Sequence, residues 1–333
     1  MTTFGFDHIE RMSDRYGLYE HAALTVRRRE HGYCTDDNAR LLVVATRDGG
    51  DERAQHLSRR ALAFVLDAQT RDGSIRNRMD RSGRWTDTAS TEDCWGRAMW
   101  GLGVTATAHA DPDVRRQALR GFDRGVGHRS QSSRTMAFAA LGASDVLDAD
   151  PDHVSARALL LHALAIVGPL GDASWRWPEP RLRYANAALA EAVIAAGAAT
   201  GDIGALDKGL AMLAWLLDQE TRDGHLSVTG SAGRGRHDAV GPQFDQQPIE
   251  VSSMADACWR AYTVTEDRAW LHGVELAAAW FAGSNDVGLV MYDRASGGGY
   301  DGLHESAVNR NQGAESTLAF ISTMQRARSL VRA

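Results

Sequence analysis

The sequence has one lysine, three cysteines and no long apolar run. Cys34, Cys94 and Cys258 are an odd and sparse set for 333 residues, which argues against a disulfide framework and predicts a reducing, cytoplasmic compartment. No stretch approaches the ~18 apolar residues of a membrane span, and acidic residues interrupt the N-terminus where a signal peptide would be apolar. The formal net charge of −6 gives no attraction to nucleic acid or anionic lipid, so we expect neither partner.

Strand-like alternation of apolar and polar residues is almost absent, which excludes a sheet-based core. Helices that are apolar nearly all round instead alternate along the chain with helices that have one polar face. The sequence Thr-Arg-Asp-Gly follows two of the amphipathic helices, at 70–73 and 221–224, and indicates internal repetition. The predicted helices span 8–21, 36–46, 51–69, 92–109, 113–127, 133–147, 153–167, 182–199, 203–219, 250–263, 268–282 and 313–330.

Six hairpins, each with a buried and an amphipathic helix, predict an all-α fold of the (α/α)6 barrel type. This fold is a closed toroid with inner and outer rings of helices, and an open solenoid is the alternative. We expect a single domain over 1–333. The links that lead from the amphipathic helices back to the buried helices are long. In a toroid all of them lie at the same end of the barrel, which we call the mouth. Loops of this length in a compact domain are usually functional. They cover 73–91, 170–181, 224–248 and 285–312.

Carboxyl groups are frequent where the buried helices are predicted to begin. Acid–base cleavage of a glycosidic bond needs two such groups, one protonated and one charged. We predict Asp37, Glu92 and Glu250 as catalytic, with Asp37 paired with either glutamate. Any single acid has an alternative role, because Asp and Glu in a first helical turn satisfy free N–H groups. Asp36 and Asp37 diverge by ~100° on a helix, so we expect one to face the cavity and the other to cap or to pair with Arg40.

Aromatic and amide side chains accompany these acids, and they suit the apolar faces and hydroxyl rims of a sugar ring. Trp175 and Trp177 are predicted stacking platforms, because two prolines keep their segment irregular and near the opening. For Trp95, core packing is an equally good interpretation. The predicted substrate-binding residues are Asp36, Asp93, Trp95, Arg97, Trp175, Trp177, Glu179, Tyr184, Asn186, Asp245, Gln246, Tyr300, Asp301, Asn309, Arg310 and Asn311.

Patterns typical of metal, cofactor and phosphate sites are missing. The three cysteines fall at the predicted buried helices 36–46, 92–109 and 250–263, whose hairpins are not mutually adjacent, and no CxxC or HxxxH spacing occurs. We therefore predict no metal and no cofactor. The glycine-rich stretches 230–241 and 296–302 neither follow a strand nor continue as GKS/T, which disfavours a nucleotide-phosphate loop. His31, His225, His237 and His304 lie in mouth loops, where they are either bases or solvated histidines.

Five segments carry a resemblance to a known family. They are HGYCTDDNAR at 31–40, TEDCWGRAMWGLG at 91–103, WPEPRLRYANAALAEA at 177–192, FDQQPIEVSSMADACW at 244–259, and GGGYDGL with VNRNQGAESTLAF at 297–320. Over roughly 17–321 the chain resembles a bacterial family of six-hairpin (α/α)6 proteins. Its members are often labelled glycosyltransferases, because they can be joined to, or encoded beside, such enzymes and mannoside-active phosphorylases. The resemblance therefore implies association with a glycosyltransferase or a mannoside phosphorylase.

The chain is also similar, more broadly, to six-hairpin glycosidases, most of which use an Asp/Glu pair in the barrel mouth. A transferase of the usual nucleotide-sugar kind is excluded, because no βαβ alternation is present. We therefore predict a glycoside hydrolase that cleaves a short oligosaccharide, such as one containing mannose or glucose, without metal or cofactor. Inverting cleavage is favoured, because a wide mouth seats a water between the carboxyl groups.

Three alternatives stay open. A sugar epimerase or isomerase of the helical-toroid type would move a carbon-bound proton with a histidine pair, His304 with His225 or His31. A non-catalytic carbohydrate-binding partner of a glycosyltransferase would use the carboxylates only as hydrogen-bond acceptors. A phosphorylase would hold phosphate with Arg310 or Arg134.

Overall fold

The computed structural model describes residues 5–239 and 241–331, and the twelve α-helices in these ranges confirm the predicted (α/α)6 barrel. The inner helices α2, α4, α6, α8, α10 and α12 each pack on the next, and α12 packs on α2. The ring is therefore closed, which excludes the open solenoid. The helices are α1 (Asp7–Met12), α2 (Thr35–Arg47), α3 (Glu52–Ala68), α4 (Asp93–Ala108), α5 (Pro112–Gly125), α6 (Ser133–Ala149), α7 (Val154–Val167), α8 (Asn186–Thr200), α9 (Ile203–Gln219), α10 (Pro248–Thr265), α11 (Leu271–Phe281) and α12 (Ala314–Ser329).

The two rings differ in burial as the sequence predicts. The inner helices are buried along most of their length, whereas α3, α5, α7, α9 and α11 bury one face against them. Inner helices α4 and α6 approach closely through glycines. A Cβ atom on Gly103 would lie 2.3 Å from the carbonyl oxygen of Gly142, and one on Gly142 would lie 2.2 Å from that of Met99. Any larger residue would force these two helices apart.

The N-terminal helix is much shorter than predicted. It ends at Met12, so the prediction of a helix over 8–21 is wrong beyond that residue. The chain turns back there, because the N–H of Tyr19 donates to Met12 and the Asp14 carboxylate accepts from the Tyr19 and Tyr33 hydroxyls. The last helix packs on the first, which completes the six predicted hairpins: α1 contacts α12, and His8 bonds to the carbonyl oxygen of Gln312.

Two other predicted helices begin later than expected. Helix α8 begins at Asn186 and not at 182, because Arg181–Leu182 is a strand paired with Arg234–Gly235. The predicted helix over 268–282 is split into a 3-10 turn, Arg268–Trp270, followed by α11.

Short antiparallel strand pairs are the only sheet structure within 5–239 and 241–331, and they brace the loops at the mouth. No helix among the described residues is long and apolar enough to cross a membrane. The pairs are β1 (Ala22–Ala23) with β2 (Val26–Arg27), β3 (Tyr33–Cys34) with β4 (Arg78–Met79), β5 (Arg181–Leu182) with β8 (Arg234–Gly235), β6 (Thr221–Arg222) with β7 (His225–Leu226), and β9 (Gly302–Leu303) with β10 (Val308–Asn309).

Candidate active site

A cavity of about 460 Å³ opens where inner helices begin. The first turns of α2, α4 and α12 and the segments that precede α8 and α10 form its walls, so the long links gather at one mouth as predicted. Its volume falls in the range of small-molecule sites. The lining residues are Glu20, His21, Cys34, Asp36, Asp37, Arg40, Asp93, Arg97, Tyr184, Asp245, Gln247, Asp301, Asn309, Gly313, Glu315 and Ser316.

One wall is an ion-pair network that joins the starts of α2 and α4. The Arg97 guanidinium lies 2.9 Å from Asp36 and 3.6 Å from Asp93. Asp36 also accepts from the side chain of Asn77. The Tyr184 hydroxyl donates to Asp93, and the guanidinium lies over the Tyr184 ring, 5.7 Å from its centre. Tyr184 is 37% exposed and is the aromatic residue that lines the cavity among the described residues.

A second ion-pair network forms the deeper part of the cavity. The buried Asp37 carboxyl accepts from Arg40 at 2.7 Å and from the Cys34 thiol at 3.1 Å. The other arm of Arg40 contacts Glu315 at the start of α12. Burial raises the pKa of Asp37 to about 7, and the Glu315 charge adds to this rise while Arg40 opposes it. Asp37 therefore exists as both acid and carboxylate near neutral pH.

Two more carboxyl groups, Asp245 and Asp301, come from loops that pack closely against glycines. Asp245 precedes α10, and a Cβ on Gly302 would lie 2.3 Å from its Oδ1. Asp301 accepts from the N–H of Gly313, the residue before α12, and a Cβ on Gly313 would lie 3.0 Å from its Oδ1. Burial raises the pKa of both carboxyl groups. Asp245 also accepts from Gln247 and lies 3.6 Å from the His304 ring.

The N-terminal segment supplies the remaining wall. Glu20 forms an ion pair with Arg78 and lies 3.7 Å from the ring of its neighbour His21. The carbonyl of Glu20 accepts from Ala314, which fixes this segment to the start of α12. Neither residue is predicted as a site residue, because both fall in the segment predicted as helix. The sequence predicts Arg40 only as a partner of Asp36 or Asp37. It does not single out Cys34, Gln247 or Glu315 as binding residues, although all three lie at the polar helix starts, and Ser316 carries no signal.

Three groups in the cavity are placed to bind a cation. Oxygens of Glu20 and Asp37 and the Cys34 sulfur lie within 4.8 Å of one another. Burial raises the pKa of the Cys34 thiol well above its ordinary value, and Arg40 already neutralises Asp37. Both features disfavour a metal, since a ligating cysteine must be a thiolate.

The two predicted glutamates lie elsewhere. Glu92 is exposed at the start of α4 and does not line the cavity. Glu250 is buried outside the lining, and it accepts from the N–H groups of Ala185 and Asn186 and from the Asn186 side chain. Its position matches the alternative role of an acid that satisfies free N–H groups, here those of the neighbouring helix α8.

Several other predicted binding residues are buried in the packing of the barrel and do not reach the cavity. Trp95 is fully buried and donates to the carbonyl of Gly125. Trp175 and Trp177 are buried against Trp215 of outer helix α9, so the tryptophan pair is not exposed as a stacking platform. Residues outside the cavity lining are Trp95, Trp175, Trp177, Glu179, Asn186, Gln246, Tyr300, Arg310 and Asn311, and those that line it are Asp36, Asp93, Arg97, Tyr184, Asp245, Asp301 and Asn309.

The expectation that only one of Asp36 and Asp37 faces the cavity is wrong, because both line it. The ~100° divergence instead directs them to two different arginines, Arg97 and Arg40. Among the predicted histidines, His304 contacts a cavity carboxyl group, whereas His225 pairs with Asp286 outside the lining.

No protein-family model matches this sequence, and no curated protein matches it. Solved structures do share its fold. A cellobiose 2-epimerase from Bacillus thermoamylovorans is 10% identical, with a TM-score of 0.73 over 96% of this chain and 95% of that one. A sugar epimerase from a ruminal bacterium is 14% identical, with a TM-score of 0.70 over 97% and 95%.

A GH76 α-mannanase from Bacteroides thetaiotaomicron is also 14% identical, with a TM-score of 0.65 over 98% of this chain and 93% of that one. Identities this low show a shared fold. They confirm the predicted resemblance to (α/α)6 glycoside hydrolases at the level of architecture. The epimerases share this architecture to the same degree, so the fold does not distinguish the two kinds of enzyme.

Proposed function

We propose that this protein is a carbohydrate-active enzyme, and that it hydrolyses a glycosidic bond of a short oligosaccharide. The observation that carries the proposal is the cavity itself, in which carboxyl groups with different environments face one space of about 460 Å³. Paired carboxyl groups whose surroundings separate their protonation states are the machinery of glycoside hydrolysis. A cofactor is not needed for this chemistry.

Asp37 is our candidate for the general acid. Its pKa of about 7 keeps a large acid fraction at neutral pH, which is where a proton donor is most effective. Asp245 is our candidate for the base, because it projects from a different wall, accepts from Gln247 and contacts His304 without an arginine partner among the described residues. It replaces Glu92 and Glu250 in this role, since neither lines the cavity.

In the proposed step, Asp245 removes a proton from water as the water oxygen attacks the anomeric carbon. The bond from that carbon to the leaving oxygen breaks, and Asp37 donates its proton to this oxygen. One carbon–oxygen bond forms at the anomeric carbon and one breaks. One proton passes from water to Asp245 and another from Asp37 to the leaving oxygen, so the two carboxyl groups exchange protonation states. Attack from the face opposite the leaving group inverts the anomeric configuration.

The other lining groups suit a sugar. Asp36, Asp93 and Asn309 present acceptor oxygens for hydroxyl groups, and Arg97 holds the first two in place. The exposed Tyr184 ring takes over the stacking role that the sequence assigned to Trp175 and Trp177. Two predictions from the sequence remain part of the proposal. They are a cytoplasmic location, from the few cysteines, and association with a glycosyltransferase or a mannoside phosphorylase, from the family resemblance.

A panel of manno- and gluco-oligosaccharides, assayed for new reducing ends with the anomer recorded by NMR, tests the proposal. We expect cleavage of at least one glycan with inversion in the first turnovers. Retention of configuration would refute the water-activating role of Asp245. An absence of cleavage across the panel, with a folded protein, would contradict the hydrolase proposal.

A sugar epimerase is the second candidate, because two histidines contact cavity carboxyl groups. His21 lines the cavity beside Glu20, and His304 lies beside Asp245. Proton transfer at a sugar carbon would need such bases. Deuterium from solvent water in recovered monosaccharide, absent from His21→Ala, would favour this candidate over hydrolysis.

A further inference from the structure

The cations of the cavity are already shared between carboxyl groups. Among the lining residues that the structure describes, seven are acidic, and two, Arg40 and Arg97, are arginines. One guanidinium bridges Asp37 and Glu315, and the other bridges Asp36 and Asp93. Each guanidinium is therefore already paired with two carboxyl groups and is not available to pair with an anionic ligand.

Two arginines outside the lining, Arg78 and Arg134, are also paired with carboxyl groups. Arg78 pairs with Glu20. Arg134, a predicted phosphate ligand, is buried outside the lining, where it pairs with Glu179 and donates to the carbonyl of Tyr184. Arg310, the other predicted phosphate ligand, is exposed and does not line the cavity.

We infer that this site takes uncharged or cationic glycans, uses water and not phosphate as the acceptor, and rejects sugars that carry phosphate or carboxylate. The inference rests on the proposed function and specifies its substrate class. An anion in the cavity would lose its hydration and face several carboxylates at short range, with both lining arginines already paired. Like-charge juxtaposition of this kind gives specificity by excluding the wrong ligand.

Ligands that share a ring and differ in charge test the inference. At pH 7 and low salt, isothermal titration would compare 1-deoxymannojirimycin, mannose and mannose 6-phosphate, together with the matching glucose series. We expect the cationic iminosugar to bind most tightly, and the 6-phosphate to bind at least about tenfold more weakly than the neutral sugar.

Two variants and a matched control assign the effect to the shared arginines. Glu315→Gln and Asp93→Asn each release one side of a guanidinium, so each should improve 6-phosphate binding relative to the neutral sugar by at least about threefold. Glu92→Gln makes the same change in net charge outside the cavity and should leave that ratio unchanged.

The outcomes separate this inference from the proposal on which it rests. Wild-type protein that binds the 6-phosphate as tightly as the neutral sugar, or that cleaves glycans only with inorganic phosphate, would overturn the inference and leave a carbohydrate-active site. Failure of every probe to bind, whatever its charge, would contradict the proposed function and the inference together.

Discussion

Two buried carboxyl groups at the starts of inner helices invite comparison. Asp37 lies in the first turn of α2 and Glu250 in the first turn of α10. Burial raises the pKa of Asp37 to about 7 and that of Glu250 to about 8. Asp37 lines the cavity and contacts Arg40 and Cys34. Glu250 lies outside it, and backbone and side-chain N–H groups of Ala185 and Asn186 occupy its oxygens.

The difference shows that a raised pKa alone does not identify a catalytic acid. Glu250 fixes the start of α8, where Ala185 has a left-handed backbone with a φ of 47°. This conformation costs free energy for a residue with a Cβ, and the two N–H donors to Glu250 offset that cost. Asp37, in contrast, faces the space where a ligand would sit.

The largest expected effect is on catalysis. Asp37→Asn should lower kcat on a cleaved glycan by about 10²–10⁴-fold, because it removes the proton donor. Glu250→Gln should lower the kcat of the folded protein less than about tenfold, because it changes only the support of α8. Steady-state kinetics of the two variants side by side measures this contrast, and equal losses would remove the distinction between the two groups.

The second expected effect is on the free energy of unfolding, where Glu250 is the more important of the two carboxyl groups. Glu250→Ala should lower the free energy of unfolding by about 3 kcal/mol, because it leaves buried N–H donors of α8 without an acceptor. Urea unfolding measures the loss. A change below about 0.5 kcal/mol would show that Glu250 does not hold the start of α8.

A third experiment concerns the protonation of Asp37. The Glu315 charge raises the pKa of Asp37, so Glu315→Gln should lower that pKa. The acid form is lost as pH rises, and its loss would then begin at lower pH. The alkaline limb of kcat/KM should move down by about half a pH unit. An upward shift would contradict the assignment of Asp37 as the acid.

The smallest effect is expected at Glu92, which the sequence made as strong a candidate as Glu250. Its side chain is exposed, does not line the cavity and makes no capping hydrogen bond. Glu92→Gln should change the free energy of unfolding by less than about 0.5 kcal/mol and leave kcat within about twofold. A tenfold fall in kcat would return Glu92 to the catalytic pair.

Helical periodicity was enough to predict the barrel. The distribution of apolar residues in each helical segment shows whether that helix is buried on all sides or on one side. The prediction fails where hydrogen bonds outside that periodicity decide the structure. Tyrosine hydroxyls on Asp14 and a turn at Met12 end α1, and the strand at Arg181–Leu182 delays α8. That strand and its partner strand are far apart in sequence, and none of these contacts follows the helical repeat.

For the cavity, the sequence predicted which helix ends contribute acids but not which acids face inward. Asp37 and Glu250 have the same local pattern, and only the nearby N–H groups of α8 separate them. Trp175 and Trp177 precede two prolines in a mouth loop, yet Trp215 of the outer ring covers them. Glu20 and His21 enter the site through a segment whose irregular path has no short motif.

The most direct test is a crystal structure of Asp37→Asn with an oligosaccharide that the wild-type protein cleaves. We expect the glycosidic oxygen about 2.6–3.2 Å from the residue-37 side chain, and a water between the anomeric carbon and Asp245. A sugar bound outside the cavity, or one whose ring carbon faces His21 or His304 while its glycosidic oxygen points away from residue 37, would contradict this account.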